Sequence, residues 1–278
     1  MRLWGKLLDR LRGKPKSLPR VALVLGGGAA RGFAHVGVIR ILEQEKIPIH
    51  MIVGTSVGSL IGAIYAAELD SLDLEITAFQ LERDDLLDYS VLTIKKGLIV
   101  GERLERFVSQ KVHVARIEDL KIPFAAVATD IRTGERVVLN SGPLARAVRA
   151  SCALPGIFQP VEMNGRLLVD GGVLESLPVP TAKALGADVT IAVDVGARAR
   201  DIQAADAITV IIQALNIAGT EMRRRHAEQA DVLISPDVSE VGTFDFGQKE
   251  LCLKNGIAAA RAAIPRIREV LAAHRITI

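Results

Sequence analysis

Ser56 has the surroundings of a catalytic nucleophile. It lies in Gly54-Thr55-Ser56-Val57-Gly58, a G-x-S-x-G pattern between an apolar stretch over 49–53 and a second over 59–67. The first stretch predicts a buried strand and the second a buried helix. A sharp turn between them would expose the serine oxygen at a helix N-terminus, where free N–H groups favour developing negative charge. The pattern therefore predicts a catalytic serine, with an ordinary tight turn as the alternative.

A serine nucleophile needs a neighbouring group that accepts its proton. The histidines of the chain do not offer a clear partner. His35 lies in the first turns of a predicted helix and is expected to pack or hydrogen-bond near the preceding loop, while His50 falls within a predicted strand. The remaining three lie on predicted helices with no motif around them: His113, His226 and His274.

Three aspartates follow predicted strands and are alternative bases: Asp130, Asp170 and Asp194. Position alone does not choose between them. Asp170 is favoured because Gly171 and Gly172 leave space at its carboxylate. A carboxylate in a partly desolvated cleft has its pKa raised towards the range useful for a base.

A glycine-rich loop precedes the serine in the chain. Gly26-Gly27-Gly28-Ala29-Ala30-Arg31-Gly32 lies between an apolar strand over 21–25 and a predicted helix over 33–45. Neither the dinucleotide fingerprint nor the P-loop pattern fits it, because the required glycine, lysine and hydroxyl positions are filled by other residues. Oxyanion holes are commonly formed by exposed backbone N–H groups at a helix N-terminus, so this loop is a candidate oxyanion hole. Arg31 is a candidate contact to a substrate anion, and a structural ion pair is its alternative role.

The predicted elements bring this loop to Ser56. Strand, loop, helix, strand and serine turn form one βαβ unit over 21–58, and parallel strands of such a unit end at the same edge of the sheet. The rest of the chain adds a predicted hairpin, three further apolar strands and several helices. The predicted ranges are strands 122–130, 136–139, 166–169, 188–193 and 232–234, and helices 102–112, 144–152, 207–225 and 248–274.

Composition limits the class of protein. The chain has 278 residues, 49% of them hydrophobic and only 4% aromatic, which suits a parallel sheet covered by aliphatic helices. The net charge is +3, but residues 1–20 hold seven Lys or Arg and one acid, so the remainder is negative. This distribution argues against nucleic-acid binding by the globular part. Two cysteines a hundred residues apart suggest neither a metal site nor a disulfide framework, so no metal and no cofactor are expected.

The N-terminal segment has a character of its own. Trp4, Leu7, Leu8 and Leu11 have helical spacing, and basic residues take most of the other side. We expect a basic amphipathic segment and linker over 1–19, followed by one domain over 20–278. Residues 1–16 are a candidate contact to an anionic membrane surface, with a packed or frayed terminal helix as the alternative. The N-terminus lacks the apolar core of a secretory signal, so we expect a cytoplasmic protein. If residues 1–16 contact the membrane, the protein would be peripheral on its inner face.

Four motifs in sequence resemble the patatin-like phospholipase family. They are the glycine loop with His35-Val36-Gly37, the serine turn at 54–58, Ala150-Ser151-Cys152-Ala153-Leu154-Pro155-Gly156-Ile157-Phe158, and Asp170-Gly171-Gly172 followed by Leu177-Pro178-Val179. The chain is similar to the small bacterial members and to the catalytic domain of neuropathy-target-esterase-type lysophospholipases.

The resemblance implies a three-layer α/β/α fold with a mainly parallel sheet and a Ser-Asp dyad without histidine. It implies Ser56 as nucleophile, Asp170 as general base, the N–H groups of Gly26, Gly27 and Gly28 as the oxyanion hole, and no metal. The expected function is hydrolysis of acyl esters of lysophospholipids, phospholipids or related lipids. Two alternatives stay open: an acyltransferase, which would favour a histidine where Thr55 stands, and a regulatory protein that senses acyl chains with little turnover.

Overall fold

An eight-stranded mixed sheet forms the centre of the protein. The computed structural model describes residues 18–67, 70–82, 99–196 and 207–277. The strands are β1 (Val21–Leu25), β2 (Met51–Thr55), β3 (Phe124–Asp130), β4 (Glu135–Leu139), β5 (Val161–Met163), β6 (Arg166–Asp170), β7 (Val189–Val193) and β8 (Val232–Ile234). The helices are α1 (Phe33–Gln44), α2 (Val57–Ala66), α3 (Ser71–Gln80), α4 (Glu102–Lys111), α5 (Leu144–Ser151), α6 (Gly172–Glu175), α7 (Val179–Ala184), α8 (Ala207–Ala227) and α9 (Lys249–Ala273).

Five strands of the sheet are parallel. They follow the order β3-β2-β1-β7-β8. The apolar sequences of β1, β2, β3 and β7 are buried throughout because helices cover both faces, whereas the edge strand β8 exposes Leu233. Alternate residues of β1 show the two faces: Leu23 and Leu25 pack into the core with α1, α2 and α9, whereas Ala22 and Val24 pack into the core with α7. The predicted three-layer α/β/α fold with a mainly parallel sheet is therefore confirmed.

The antiparallel strands bring the end of β6 to the end of β2. β4 and β6 both run antiparallel to β3. Ala126 pairs with Gly54 of β2 and Leu139 of β4, and Ala128 pairs with Asp170 of β6 and Val137 of β4. A strand residue has one partner on each side, so β2 and β6 lie end to end on the same side of β3. The last residues of β2 and β6 therefore face each other.

Several predicted boundaries shift in the structure. The strand predicted over 49–53 is Met51–Thr55, so it runs directly into Ser56, and His50 lies outside it, exposed. The strand β5 and the short helices α6 and α7 were not predicted, since each is too short to show a periodic pattern. The predicted N-terminal helix, and most of the linker that follows it, lie outside the described residues. Within the described ranges, no helix is both long and apolar enough to cross a bilayer.

Candidate active site

Ser56 occupies a strained turn between β2 and α2. Its backbone has φ 54° and ψ −129°, a region that residues with a side chain rarely adopt. The glycines around it have a steric reason. A Cβ on Gly54 would lie 2.5 Å from the Gly58 carbonyl oxygen, and one on Gly58 would collide with the Leu25 carbonyl. The G-x-S-x-G pattern is therefore required by close backbone approach, as expected for a nucleophile turn.

A second serine supports the turn. The Ser56 N–H donates to Ser151 Oγ at 3.0 Å, and the Ser151 hydroxyl donates to the Val127 carbonyl at 2.6 Å. Ser151 is fully buried at the end of α5. The sequence contained this residue within one of the four motifs, but nothing in the residue pattern indicated that it hydrogen-bonds the backbone of Ser56.

Asp170 comes to Ser56 from the opposite direction, at the end of β6. Its carboxylate is 3% exposed, and Oδ1 accepts the Gly172 N–H at 2.7 Å. Burial raises the pKa of the Asp170 carboxyl to about 6, and hydrogen bonds from the Ser56 hydroxyl and the Gly172 N–H offset part of that rise. The carboxyl thus combines contact with the serine and a pKa suited to accepting a proton near neutral pH.

The other two aspartates have structural partners. Asp130 is buried, accepts the Arg132 N–H at 3.0 Å, and lies 3.5 Å from Arg166. Asp194 accepts the Gly196 N–H at 2.9 Å and lies 3.4 Å from Arg223 Nε. Neither lines the pockets that contain Ser56. Of the three predicted candidates, the structure brings only Asp170 to the serine.

The histidines have other roles. His35 is fully buried, and its Nε2 lies 2.8 Å from the Gly26 carbonyl oxygen, as predicted for a residue that supports the glycine loop. Burial lowers the pKa of His35 to about 4, so the ring is neutral and donates this hydrogen bond. His50 Nδ1 accepts the Val21 N–H. His226 is half-buried near the end of α8. No histidine is among the described residues that line the pockets at Ser56.

The glycine loop lies beside the serine turn, as the βαβ geometry predicts. A Cβ on Gly27 would lie 3.3 Å from Ser56 Cβ. However, the Gly26 N–H donates to the Val193 carbonyl at 3.0 Å, and the Gly27 N–H donates to the Ser176 carbonyl at 2.8 Å. Two of the three predicted oxyanion donors are therefore engaged within the protein, which corrects that part of the prediction.

Gly28 and Ala29 carry the N–H groups that remain available. Within the described part of the chain, neither N–H has a protein acceptor. Both residues line the pocket space at Ser56, and Ala29 has a positive φ of 50°. The sequence missed Ala29 because it is not a glycine, and because the acceptors of Gly26 and Gly27 come from distant segments.

Arg31 is buried against the backbone. Its Nε donates to the Val195 carbonyl at 3.2 Å and its Nη1 to the Val241 carbonyl at 3.1 Å. These contacts tie the glycine loop to the segments after β7 and β8, which gives Arg31 a structural role. It also lines the cleft beside Ser56, so a contact with a substrate anion stays a prediction.

Ser56 lies where two pockets of different chemistry meet. The first is almost entirely apolar and is called the apolar pocket; its lining includes Phe33, Leu60, Ile61, Leu104, Phe158 and Phe244. The second is called the charged cleft; its lining includes Gly28, Arg31, Asp170, Asn216 and Arg223. One serine thus faces an apolar chamber on one side and charged groups on the other, which suits an amphipathic ester. Among the described residues, no cluster of side chains suited to hold a metal ion occurs.

Comparison with known proteins identifies the family. The patatin-like phospholipase family matches residues 23–183, more than half of the chain, so the chain belongs to the patatin-like phospholipase family. It is 42% identical over 187 residues to an uncharacterized NTE family protein of Mycobacterium tuberculosis, covering 66% of this chain and 51% of that protein. It is 38% identical over 188 residues to human patatin-like phospholipase domain-containing protein 6, covering 64% of this chain and 13% of that protein.

Longer relatives and solved structures agree with this assignment. Lysophospholipase NTE1 of Pyricularia oryzae is 30% identical over 302 residues, covering 95% of this chain and 19% of that protein. VipD from Legionella pneumophila has a TM-score of 0.58 at 15% identity, covering 92% of this chain and 67% of that chain. ExoU from Pseudomonas aeruginosa has a TM-score of 0.53 at 15% identity, covering 92% of this chain and 53% of that chain. The structural likenesses show the fold, and the chain spans about half the length, or less, of these curated relatives.

Proposed function

We propose that this protein is a serine hydrolase that cleaves acyl esters of lysophospholipids or related lipids. The observation that carries the proposal is that Ser56 and the buried Asp170 line the charged cleft together, while Ser56 also lines the apolar pocket. Membership of a phospholipase family and likeness to a lysophospholipase support the substrate class.

The proposed reaction begins with attack by Ser56 Oγ on the ester carbonyl carbon while Asp170 accepts the serine proton. The negative charge that develops on the carbonyl oxygen is stabilised by the N–H groups of Gly28 and Ala29, each donor of this kind contributing about 3 kcal/mol. The bond to the alcohol then breaks, and Asp170 returns the proton to the leaving oxygen. Water then attacks the acyl-enzyme while Asp170 accepts one of its protons. The bond between the acyl carbon and Ser56 Oγ breaks, the fatty acid is released, and Asp170 returns the proton to Ser56 Oγ.

The two pockets set the orientation of the substrate. The acyl chain lies in the apolar pocket, because burying its methylene groups there removes apolar surface from water at about 25 cal/mol per Å². The alcohol part lies in the charged cleft. This arrangement leaves the acyl-enzyme with its chain sequestered while the leaving group departs on the other side.

Thr55 bears on the acyltransferase alternative. In that alternative a histidine would stand beside the serine, but here Thr55 is buried and its hydroxyl donates to the Glu175 carbonyl at 2.8 Å. The residue has a structural role, linking the serine turn to the segment that follows Asp170. It offers no group that could accept a proton from Ser56.

A fluorophosphonate probe and a set of p-nitrophenyl esters of several chain lengths test the proposal. We expect the wild type and a Ser109→Ala control to be labelled once and to hydrolyse the esters, and Ser56→Ala to do neither. Ser109 is an exposed serine on α4 and a matched control. Equal labelling of Ser56→Ala would refute the assignment of the nucleophile. Ester binding without turnover by the wild type would instead favour the acyl-sensing alternative.

A further inference from the structure

Part of the charged cleft comes from outside the region that the family match covers. Asn216, Gly219 and Arg223 belong to α8, whereas the match ends at residue 183. The same cleft contains Ser56, Asp170 and Gly28. The proposed catalytic groups therefore lie within the family match, whereas α8 contributes groups from outside it.

Arg223 is the charged group that α8 contributes. It is 6% exposed, its Nη2 donates to Thr220 Oγ1 at 3.1 Å, and its Nε lies 3.4 Å from Asp194 Oδ1. A Cβ on Gly196 would overlap the guanidinium, so the absence of a side chain there makes room for it. Because a guanidinium stays protonated at neutral pH, the protein holds a largely desolvated positive charge at the wall of the cleft.

The balance of charge in the cleft favours an anion. Among the described residues that line it, the side chains with a formal charge are Arg31, Arg223 and Asp170. Asp194 is not part of this lining and offsets some of the Arg223 charge from behind. In a partly desolvated site, an anion beside a guanidinium forms strong, charge-assisted hydrogen bonds.

We propose that Arg223 binds the anionic group on the alcohol side of the substrate and so selects anionic esters over neutral esters with the same acyl chain. The inference rests on the proposed function, because it assigns the charged cleft to the leaving alcohol. The group recognised is a phosphate-like anion on the alcohol part of the substrate, since Arg223 and Ser56 line the same cleft. Arg223 is a specificity-determining residue and takes no part in proton transfer.

The kinetic test compares the dodecanoyl monoesters of glycerol phosphate and of glycerol, each below its micelle concentration. We expect the wild type to prefer the anionic ester. In Arg223→Gln the ratio of kcat/KM for the anionic ester to that for the neutral ester should fall about ten- to a hundredfold, mainly through KM. Asp194→Asn should raise the same ratio, because it removes the carboxylate that competes for the guanidinium.

Two further variants separate charge from structure. Arg225→Gln changes an exposed arginine two positions along the same helix and should leave the ratio and the overall rate as in the wild type. Arg223→Lys keeps the charge and should recover part of the preference. An unchanged ratio in a folded Arg223→Gln variant, or a lower ratio in Asp194→Asn, would overturn the inference.

A binding measurement distinguishes failure of this inference from failure of the proposed function. Calorimetry with dodecyl phosphate on Ser56→Ala should show tight binding that Arg223→Gln weakens at least tenfold, with or without turnover. If the wild type hydrolyses neither ester but this dependence holds, the hydrolase proposal fails and the anion site stands. If dodecyl phosphate binds equally with and without Arg223, the anion site fails regardless of hydrolysis.

Discussion

At the scale of single residues, the proposed chemistry depends on two energetically unfavourable features that the fold imposes: a strained backbone and a buried carboxylate. Ser56 is held at positive φ, and Asp170 is held away from water. The strained backbone of Ser56 directs its hydroxyl oxygen towards the Asp170 carboxylate, and the burial of Asp170 raises the pKa of that carboxyl. The glycines around Ser56 indicate its sharp turn in the sequence, whereas the burial of Asp170 cannot be inferred from residue type, because an aspartate in the sequence carries no sign of its contact with water.

The pKa of Asp170 predicts the pH dependence of hydrolysis. The base must be ionised, and burial raises its pKa to about 6, so kcat/KM on a soluble ester should rise with pH and level off above about pH 7. The apparent pKa should stay nearly constant with temperature, because carboxyl ionisation has little enthalpy. A midpoint that shifts strongly with temperature would indicate an imidazole base and contradict the dyad.

The same pKa has a consequence for stability. The folded-state pKa of Asp170 is raised above its unfolded value, so the native protein binds a proton at this carboxyl more tightly than the unfolded chain does. The unfolding free energy therefore increases as pH falls through about 6. Asp170→Asn removes the ionisation and should raise the melting temperature at about pH 8, with the difference from the wild type shrinking towards about pH 4. Equal melting temperatures of the wild type and Asp170→Asn at about pH 8 would mean that the ionised Asp170 carboxylate does not destabilise the folded protein.

At the scale of elements, the site is built where β1, β2 and β6 end. The βαβ argument correctly placed the glycine loop beside the serine turn, because neighbouring parallel strands end at one edge. The approach of Asp170 was not predictable in the same way. It ends an antiparallel strand that meets β2 end to end, and that pairing depends on long-range register. The same limit explains why the engaged N–H groups of Gly26 and Gly27 were missed.

The hydroxyl of Ser151 is predicted to hold the serine turn against β3. It joins the Ser56 N–H to β3, so Ser151→Ala should leave a buried N–H and carbonyl without their partner. We expect a loss of about 1–3 kcal/mol in unfolding free energy and a slower rate of fluorophosphonate labelling at Ser56. Denaturant unfolding and labelling kinetics measure the two effects, with the exposed Ser109→Ala as control. Unaltered labelling by a destabilised Ser151→Ala would show that the bridge stabilises the fold without positioning the nucleophile.

At the scale of the whole molecule, the proposed substrate must reach the site from an aggregate or a membrane. Residues 1–16 carry most of the positive charge that distinguishes the N-terminus from the rest of the chain, and they lie outside the described residues. The proposed role for this segment is attraction to anionic lipid, at about 1 kcal/mol for each basic residue near the surface.

Deletion of residues 1–16 tests that role. The truncated protein should bind anionic liposomes more weakly in a flotation assay, because the basic segment is lost, while hydrolysis of a soluble p-nitrophenyl ester stays as in the full chain. Neutral liposomes are the control, and raised salt should reduce binding of the full chain alone. Equal binding by both proteins would reject the segment as a membrane contact.

The central claim is that Ser56 and Asp170 act as a dyad without histidine, and one measurement addresses it most directly. Turnover of a lysophospholipid should be compared among the wild type, Asp170→Asn, Asp130→Asn and Asp194→Asn, with folding of each checked by its melting curve. We predict that Asp170→Asn loses about a hundredfold or more in kcat, while the other two variants, whose carboxylates lie outside the pockets at Ser56, retain hydrolysis. Near-normal turnover by a folded Asp170→Asn variant would contradict it.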